Sequence, residues 1–430
     1  MCMINSNHYP LKWGNYFYRG LVVIIILVGI NCEFSTSPPF ETEPPITKMA
    51  NIPLEGDTLF PVITFHWSGG DQDGFVKGFE YRYTTYLLEN EDSVQTNWVF
   101  TSNTSETITF LSNAPLNKQR VQVRAVDNEG KVDPTPAQKI VYTPQTFPPN
   151  TQILDPVSGT SRFALDYTTD WWPGITLSFT ASDSDGEVVE YGWSVDGGDY
   201  IWGSDTTVTI PPEYFEAPLT GEHIILVSSK DDTGLIDPIP DTLQLHLIEP
   251  TFEKTVLILD DTDETNWQSG IDFSDEAVDS FYTFLTSSLA PNQITHWDYA
   301  SEGAPSREIL SKHKMILWHA DDRATNNDIP IADQRALLSD YANVGGDLFI
   351  SGWAIIKSLG ERQSFPRTFS ENDFVKTYLH INVASESPFL ADFTQAVGIG
   401  DFESIEVDTT KLMGDFRATD GGIYRVNLVE

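Results

Sequence analysis

Two stretches of this chain read alike, and the likeness limits the folds open to it. The first runs Ile63-Thr-Phe-His-Trp67, then Asp71-Gln-Asp-Gly74, then Val121-Gln-Val-Arg-Ala-Val-Asp127-Asn-Glu-Gly130-Lys-Val-Asp133-Pro134-Thr-Pro136. The second runs Ile175-Thr-Leu-Ser-Phe179, then Asp183-Ser-Asp-Gly186, then Ile225-Leu-Val-Ser-Ser-Lys-Asp231-Asp-Thr-Gly234-Leu-Ile-Asp237-Pro238-Ile-Pro240. In both, six residues lead from the first late aspartate to the one before proline (133 − 127 and 237 − 231). Period-two alternation gives each strand one apolar face, and Asp, Gly and Pro supply the turns. Strand, acidic turn, strand and Asp-Pro turn, met twice in that order, predict two tandem all-β sandwiches over residues 46–146 and 147–250. Trp67 is the expected core tryptophan of the first.

The residues ahead of them read as an export signal. Lys12 and Arg19 precede the apolar run Leu21–Ile30, which has the length of a signal-peptide core. It falls short of the roughly 20 residues that a membrane span needs. The two cysteines, Cys2 and Cys32, give no disulfide framework. Residues 1–31 are therefore expected to be a signal peptide and 32–45 a proline-rich flexible tether. Gly29-Ile-Asn-Cys32 resembles a bacterial lipoprotein signal, although Gly29 and Asn31 stand where that motif prefers leucine and a small residue. The resemblance implies a chain exported to the cell envelope and lipid-anchored to a membrane through Cys32; without the lipid it is secreted. The formal net charge of −38, from 63 acidic and 25 basic residues, repels phosphate backbones and excludes nucleic acid as a partner.

Val123-Arg-Ala125-Val-Asp127, continuing to Pro136, resembles the late strand of the fibronectin type III or immunoglobulin-like modules of exported bacterial proteins. The second copy departs at Ser229, and Gln119 and His223 stand where such modules usually keep a tyrosine. The resemblance implies the sandwich fold and is almost silent on function.

From Phe252 the texture changes. Lys254–Leu259 is a continuous apolar run, as a parallel strand buried on both faces requires. Ile294–Trp297, Met315–Trp318 and Asp347–Ile350 read as further strands. A helix is expected over Asp275–Leu289, with Ser274 as N-cap and Val278, Phe281, Phe284 and Leu285 on its inner face. A second is expected over Ile331–Val344, stopping at Gly345-Gly346. Residues 251–430 thus predict an α/β domain with an open parallel sheet. Gly421–Glu430 begins to read as another strand, so this domain is expected to be truncated. Through the order helix, Gly-Gly, Asp347-Leu-Phe-Ile-Ser351-Gly352 the region resembles class I glutamine amidotransferase-like or flavodoxin-like domains. Catalytic members of the amidotransferase family carry a cysteine nucleophile after that strand. Here the turn reads Ser351-Gly352-Trp353, and no cysteine follows Cys32. The resemblance supports the fold and argues against the activity.

In such sheets ligands sit at the carboxyl ends of the strands. Asp260, Asp261, His319, Asp321, Asp322 and Ser351 should meet there, either as a site for a divalent cation or as polar strand ends and helix caps. A serine hydrolase would use Ser351 as nucleophile, His319 or His380 as base and Asp321 as acid, but the glycines of the Gly-x-Ser-x-Gly elbow are missing. Asp71, Asp73 and Asp127, with their counterparts Asp183, Asp185 and Asp231, read as turns or as calcium ligands, without EF-hand spacing. Trp171-Trp172 and Tyr200-Ile-Trp202 read as packing residues or as a carbohydrate platform. These readings add up to a non-enzymatic surface lipoprotein that binds a protein or glycan and has no cofactor besides calcium; the alternative is an extracellular hydrolase.

Overall fold

A computed structural model describes residues 42–87, 92–262, 275–320, 330–352, 355–360, 364–386, 394–398, 400–401, 403–406, 408 and 427–429. The signal segment, Cys32, Ser274, Asp321, Asp322 and Trp353 lie outside the described residues. The chain divides into two compact units, one up to residue 145 and one from residue 146.

The first unit is a β-sandwich of β1 (Ile46–Met49), β2 (Val62–Gly70), β3 (Val76–Leu87), β4 (Asp92–Gln95), β5 (Val99–Thr101), β6 (Ser105–Thr109), β7 (Leu116–Asp127) and β8 (Ala137–Pro144). One sheet has the order β1-β2-β6 and the other β4-β3-β7-β8, with β5 also on β3. Alternation places Ile63, Phe65 and Trp67 of β2 against Val121, Val123 and Ala125 of β7. Trp67 is buried and donates its indole N–H to Asn103 O at 3.0 Å.

The second unit opens with the repeat of that design: β9 (Asn150–Asp155), β10 (Thr160–Phe163), β11 (Ile175–Ser182), β12 (Val188–Val195), β13 (Ile201–Gly203), β14 (Thr207–Ile210), β15 (Gly221–Asp231) and β16 (Asp241–Ile248). Its sheets run β14-β11-β9 and β10-β16-β15-β12-β13.

The repeated aspartates have a mechanical explanation. Asp127 Oδ1 accepts from the backbone N–H groups of Glu129 and Lys131, and Asp231 Oδ1 from those of Thr233 and Leu235. Each closes the turn after the late strand. Six residues on, Asp133 Oδ2 accepts from Thr47 N at 2.7 Å and Asp237 Oδ2 from Thr151 N at 2.8 Å. These carboxylates staple the first strand of each module to the late turn, and all four are buried.

Burial opposes ionisation of Asp133, but the hydrogen bonds from Thr135 and Thr47 outweigh it and hold its carboxyl below the usual range. A depressed carboxyl contributes stability that is present above the unfolded value, about pH 4, and lost as pH falls through the folded value. Urea titrations should therefore show a smaller loss of stability between about pH 4 and pH 2 for Asp133→Asn than for the unchanged chain. Equal losses would remove Asp133 from the acid response.

Gln119 and His223 each tie their strand to a neighbouring backbone carbonyl. Buried Gln119 donates Nε2–H to Leu111 O at 3.0 Å. His223 places Nε2 at 2.9 Å from Leu219 O and Nδ1 at 2.7 Å from Asp196 Oδ2.

The rest of the second unit contains β17 (Lys254–Asp260), α1 (Asp275–Leu285), β18 (Ile294–Asp298), α2 (Tyr299–Glu302), α3 (Arg307–Leu310), β19 (His313–Ala320), α4 (Arg335–Asn343) and β20 (Asp347–Gly352). The four strands pair in parallel in the order β18-β17-β19-β20. β17 is covered on both sides, which accounts for its unbroken apolar run. Val256 and Ile258 pack with Leu317 and with Val278 and Tyr282 of α1. Leu257 and Leu259 join Trp318, Leu338 and Tyr341 in a larger core that continues into the second sandwich through Phe163, Leu245 and Leu247. Phe163 and Tyr341 lie 6.2 Å apart, Arg307 pairs with Asp340, and Trp172 is buried with its indole donating to Phe163 O. Second sandwich and α/β head share one interior.

α4 ends where the glycine pair predicts, with Gly345 at φ +94°. Two expectations for α1 need correction. The helix ends at Leu285 rather than Leu289, and its buried residues are Val278 and Tyr282. Phe281, Phe284 and Leu285 are 58%, 75% and 50% exposed. Leu285, Phe281 and Phe284 lie about 40°, 80° and 140° around the helix from the middle of the buried pair. The roll of the helix follows Tyr282, which stacks on a strand residue. At the far end, Asn427–Val429 forms a short strand paired with Val383–Glu386.

Candidate functional site

The strand order makes β17 and β19 diverge in connection, so their carboxyl ends flank the point where α/β sheets hold ligands. Register places Asp260 beside Asp298 on one side and His319 on the other, with Ser351 next to His319. Asp260 and His319 approach one another, while Ser351 is a strand neighbour of His319 only. Asp261 turns aside: its Oδ2 accepts the Trp318 indole N–H at 3.0 Å.

His319 is 0% exposed. The Tyr282 ring stacks on its imidazole at 3.9 Å between centroids and 13° between planes. Nδ1 lies 3.3 Å from Thr262 Oγ1 and 3.5 Å from Asp260 Oδ1. Burial, with the nearby charge of His296, lowers the imidazole to about 4, so the ring is neutral at physiological pH. Asp260, 13% exposed at its side chain, is pushed up to about 7. Burial is the main cause; the charges of Asp275 and Asp279 add to it, and the hydrogen bonds from Thr262 oppose it. Asp279 projects from α1 one helical turn before Tyr282. Ligand atoms of Asp260, Asp279 and His319 lie within 4.8 Å of one another, the one such trio of His, Cys, Asp or Glu among the described residues. Sequence reading missed Asp279 and Tyr282. Their spacing, i and i+3, was the available signal, hidden by the three more apolar residues on the neighbouring face. His380 is exposed at the end of the helix Phe374–Leu379, with φ +56°.

The acidic turns hold their aspartates differently. Asp73 Oδ2 accepts from Glu43 N at 2.9 Å, and both Asp185 oxygens lie 3.2 Å from Phe147 N. Asp71 Oδ1, Asp183 Oδ2 and Asp231 Oδ2 are buried with no hydrogen-bond partner among the described residues. Asp71 and Asp183 are raised, first by burial and further by their acidic neighbours.

A third feature is basic. On the outward face of β3 and β7, Arg82 and Arg124 lie 4.4 and 4.3 Å from the centroid of the Trp98 ring. Arg120 and Lys118 lie over Tyr86 at 5.4 and 5.7 Å. Four of the chain's 25 basic residues share this face with Glu80, which pairs with Arg124 at 2.6 Å. The equivalent β12–β15 pairing sets Glu190 against Lys230, with Lys230 4.7 Å from the Trp202 ring. Trp202 stacks with Tyr200 at 5.7 Å, while Trp171 is exposed, 6.1 Å from Tyr378.

No known family matches the chain, and no curated protein matches it. Among solved structures it is similar to fibronectin(III)-like modules of Clostridium thermocellum CbhA, with 17% identity, a TM-score of 0.24, and coverage of 47% of this chain and 95% of that one. The FN1–FN3 domains of chicken CNTN1 give 14% identity and a TM-score of 0.22 over 48% of this chain and 69% of theirs. The PKD1 domain of Vibrio anguillarum Epp gives 19% and 0.16 over 24% and 100%. Scores of this size assign nothing, and the sandwich folds rest on the strand pairings themselves.

Proposed function

We propose that the chain is an exported, non-enzymatic protein of the cell envelope, lipid-anchored at Cys32. Two fibronectin type III or immunoglobulin-like modules carry a degenerate amidotransferase-like, flavodoxin-like head and bind a surface protein or glycan. The observation that carries the binding reading is the Arg82–Trp98–Arg124 stack on the first module, with Arg120, Lys118 and Tyr86 beside it. In a chain of net charge −38 it concentrates cations and ring faces where an acidic glycan or acidic protein segment can meet both. The same reading gives the modules weak calcium binding at the acidic turns, supported by the unpartnered carboxylate oxygens there.

Binding of the full chain to an array of acidic and neutral glycans tests this, with Arg82→Ala/Arg124→Ala as the variant. A loss of at least tenfold in affinity for an acidic glycan is expected; unchanged binding would remove this face from the proposal. Palmitate labelling of cells expressing Cys32→Ala should drop to background, and retained label would sink the anchor. The hydrolase reading keeps one supporting observation, the adjacent register of His319 and Ser351. An esterase, amidase and glycosidase screen that found activity abolished by Ser351→Ala would put it first.

A further inference from the structure

We infer that the carboxyl ends of β17 and β19, together with one turn of α1, form a site for a single divalent transition-metal ion held by Asp260, Asp279 and His319. The donors come from three separate elements, yet their ligand atoms lie within 4.8 Å of one another. Metal–ligand bonds of about 2.0 to 2.2 Å hold donor atoms closer together than this, so binding draws the carboxylates in toward the imidazole. The place is the switch point of the sheet, where open α/β folds hold their ligands.

Orientation of the buried donor is already set. Tyr282 lies face to face with the imidazole at 3.9 Å and belongs to the same helix as Asp279. The contact that fixes the ring therefore also sets where Asp279 leaves α1 beside the strand ends. Thr262 Oγ1 lies 3.3 Å from Nδ1, the nitrogen that also faces Asp260 Oδ1 at 3.5 Å. One imidazole nitrogen with two carboxylates is a donor set for zinc or manganese. Calcium takes 6 to 8 oxygens and gains little from a nitrogen. Asp279 is exposed, so one of the three ligands is reached from solvent among the described residues. Bound there, the ion would tie α1 to the sheet and fix the direction in which Phe281, Phe284 and Leu285 face outward.

Calorimetric titration of the purified full chain with zinc chloride, manganese chloride and calcium chloride tests the site. The variants are Asp279→Ala, an exposed helix position that keeps the fold, and His319→Gln. A chain with Asp71, Asp73, Asp183 and Asp185 all changed to Asn separates this site from the acidic turns. We expect one saturable zinc or manganese event per chain, kept by the four-Asn variant and weakened at least tenfold by Asp279→Ala. Cobalt(II) added instead should give visible d–d absorption that Asp279→Ala diminishes. No saturable uptake of zinc or manganese, or unchanged affinity in Asp279→Ala, would overturn the site. None of these changes touches Cys32, Arg82 or Arg124, so the failure of this proposal and of the binding reading can be told apart.

Discussion

Trp318→Ala is expected to lower the stability of the second unit by about 3 to 5 kcal/mol, read as a shift in the urea midpoint. Trp318 is among the largest fully buried side chains, at 1% exposure. It pairs in register with Leu259 and Ile350 and packs 5.5 Å from Tyr299. Removing it opens a cavity between sheet and helices and strips Asp261 Oδ2 of an indole donor. Trp318→Phe should lose clearly less, because a ring still fills the space. A deficit below about 1 kcal/mol for the alanine variant would mean that the sheet closes over the gap and that the residue is not a pillar of the core.

Asp237→Ala is expected to cost about 2 to 4 kcal/mol, because hydrogen bonds to a charged acceptor are worth more than neutral ones and their donors are left buried. The carboxylate holds Thr151 N at 2.8 Å and Ile239 N at 2.9 Å, tying β9 to the late turn. Asp133→Ala should cost a similar amount in the first module, where Thr47 N and Thr135 N are the donors. Asp237→Asn should recover part of the loss, since its amide oxygen keeps one acceptor. Hydrogen exchange at Thr151 and Thr47 reads the staple directly: faster exchange confined to the first strand of the altered module is the expected result. Unchanged protection would show that the strand is held by its ladder alone.

The fold was largely legible because its signals were local. Alternation along Ile63–Trp67 and Val121–Ala125 marks strands with one wet face, and the run Lys254–Leu259 marks a strand with none. The duplicated aspartates were legible as turns, but which strand they hold depends on contacts 86 residues apart, which no local pattern contains. At the crevice, Asp260 and His319 could be found because each follows or ends an apolar strand. Asp279 and Tyr282 could not, because apolar bulk alone favours Phe281, Phe284 and Leu285 as the inner face of α1. A stacking contact between two half-polar rings decided the roll of the helix, and such contacts leave no periodicity.

The interior shared by the second sandwich and the head bears on how this architecture can be rearranged in evolution. A cut near residue 250, the natural seam by sequence, would bare Phe163 and Trp172 on one piece and Tyr341 on the other. Sandwich plus head is therefore the smallest piece of this unit that keeps its core closed. The first module, with its own closed core, can be copied, dropped or exchanged on its own.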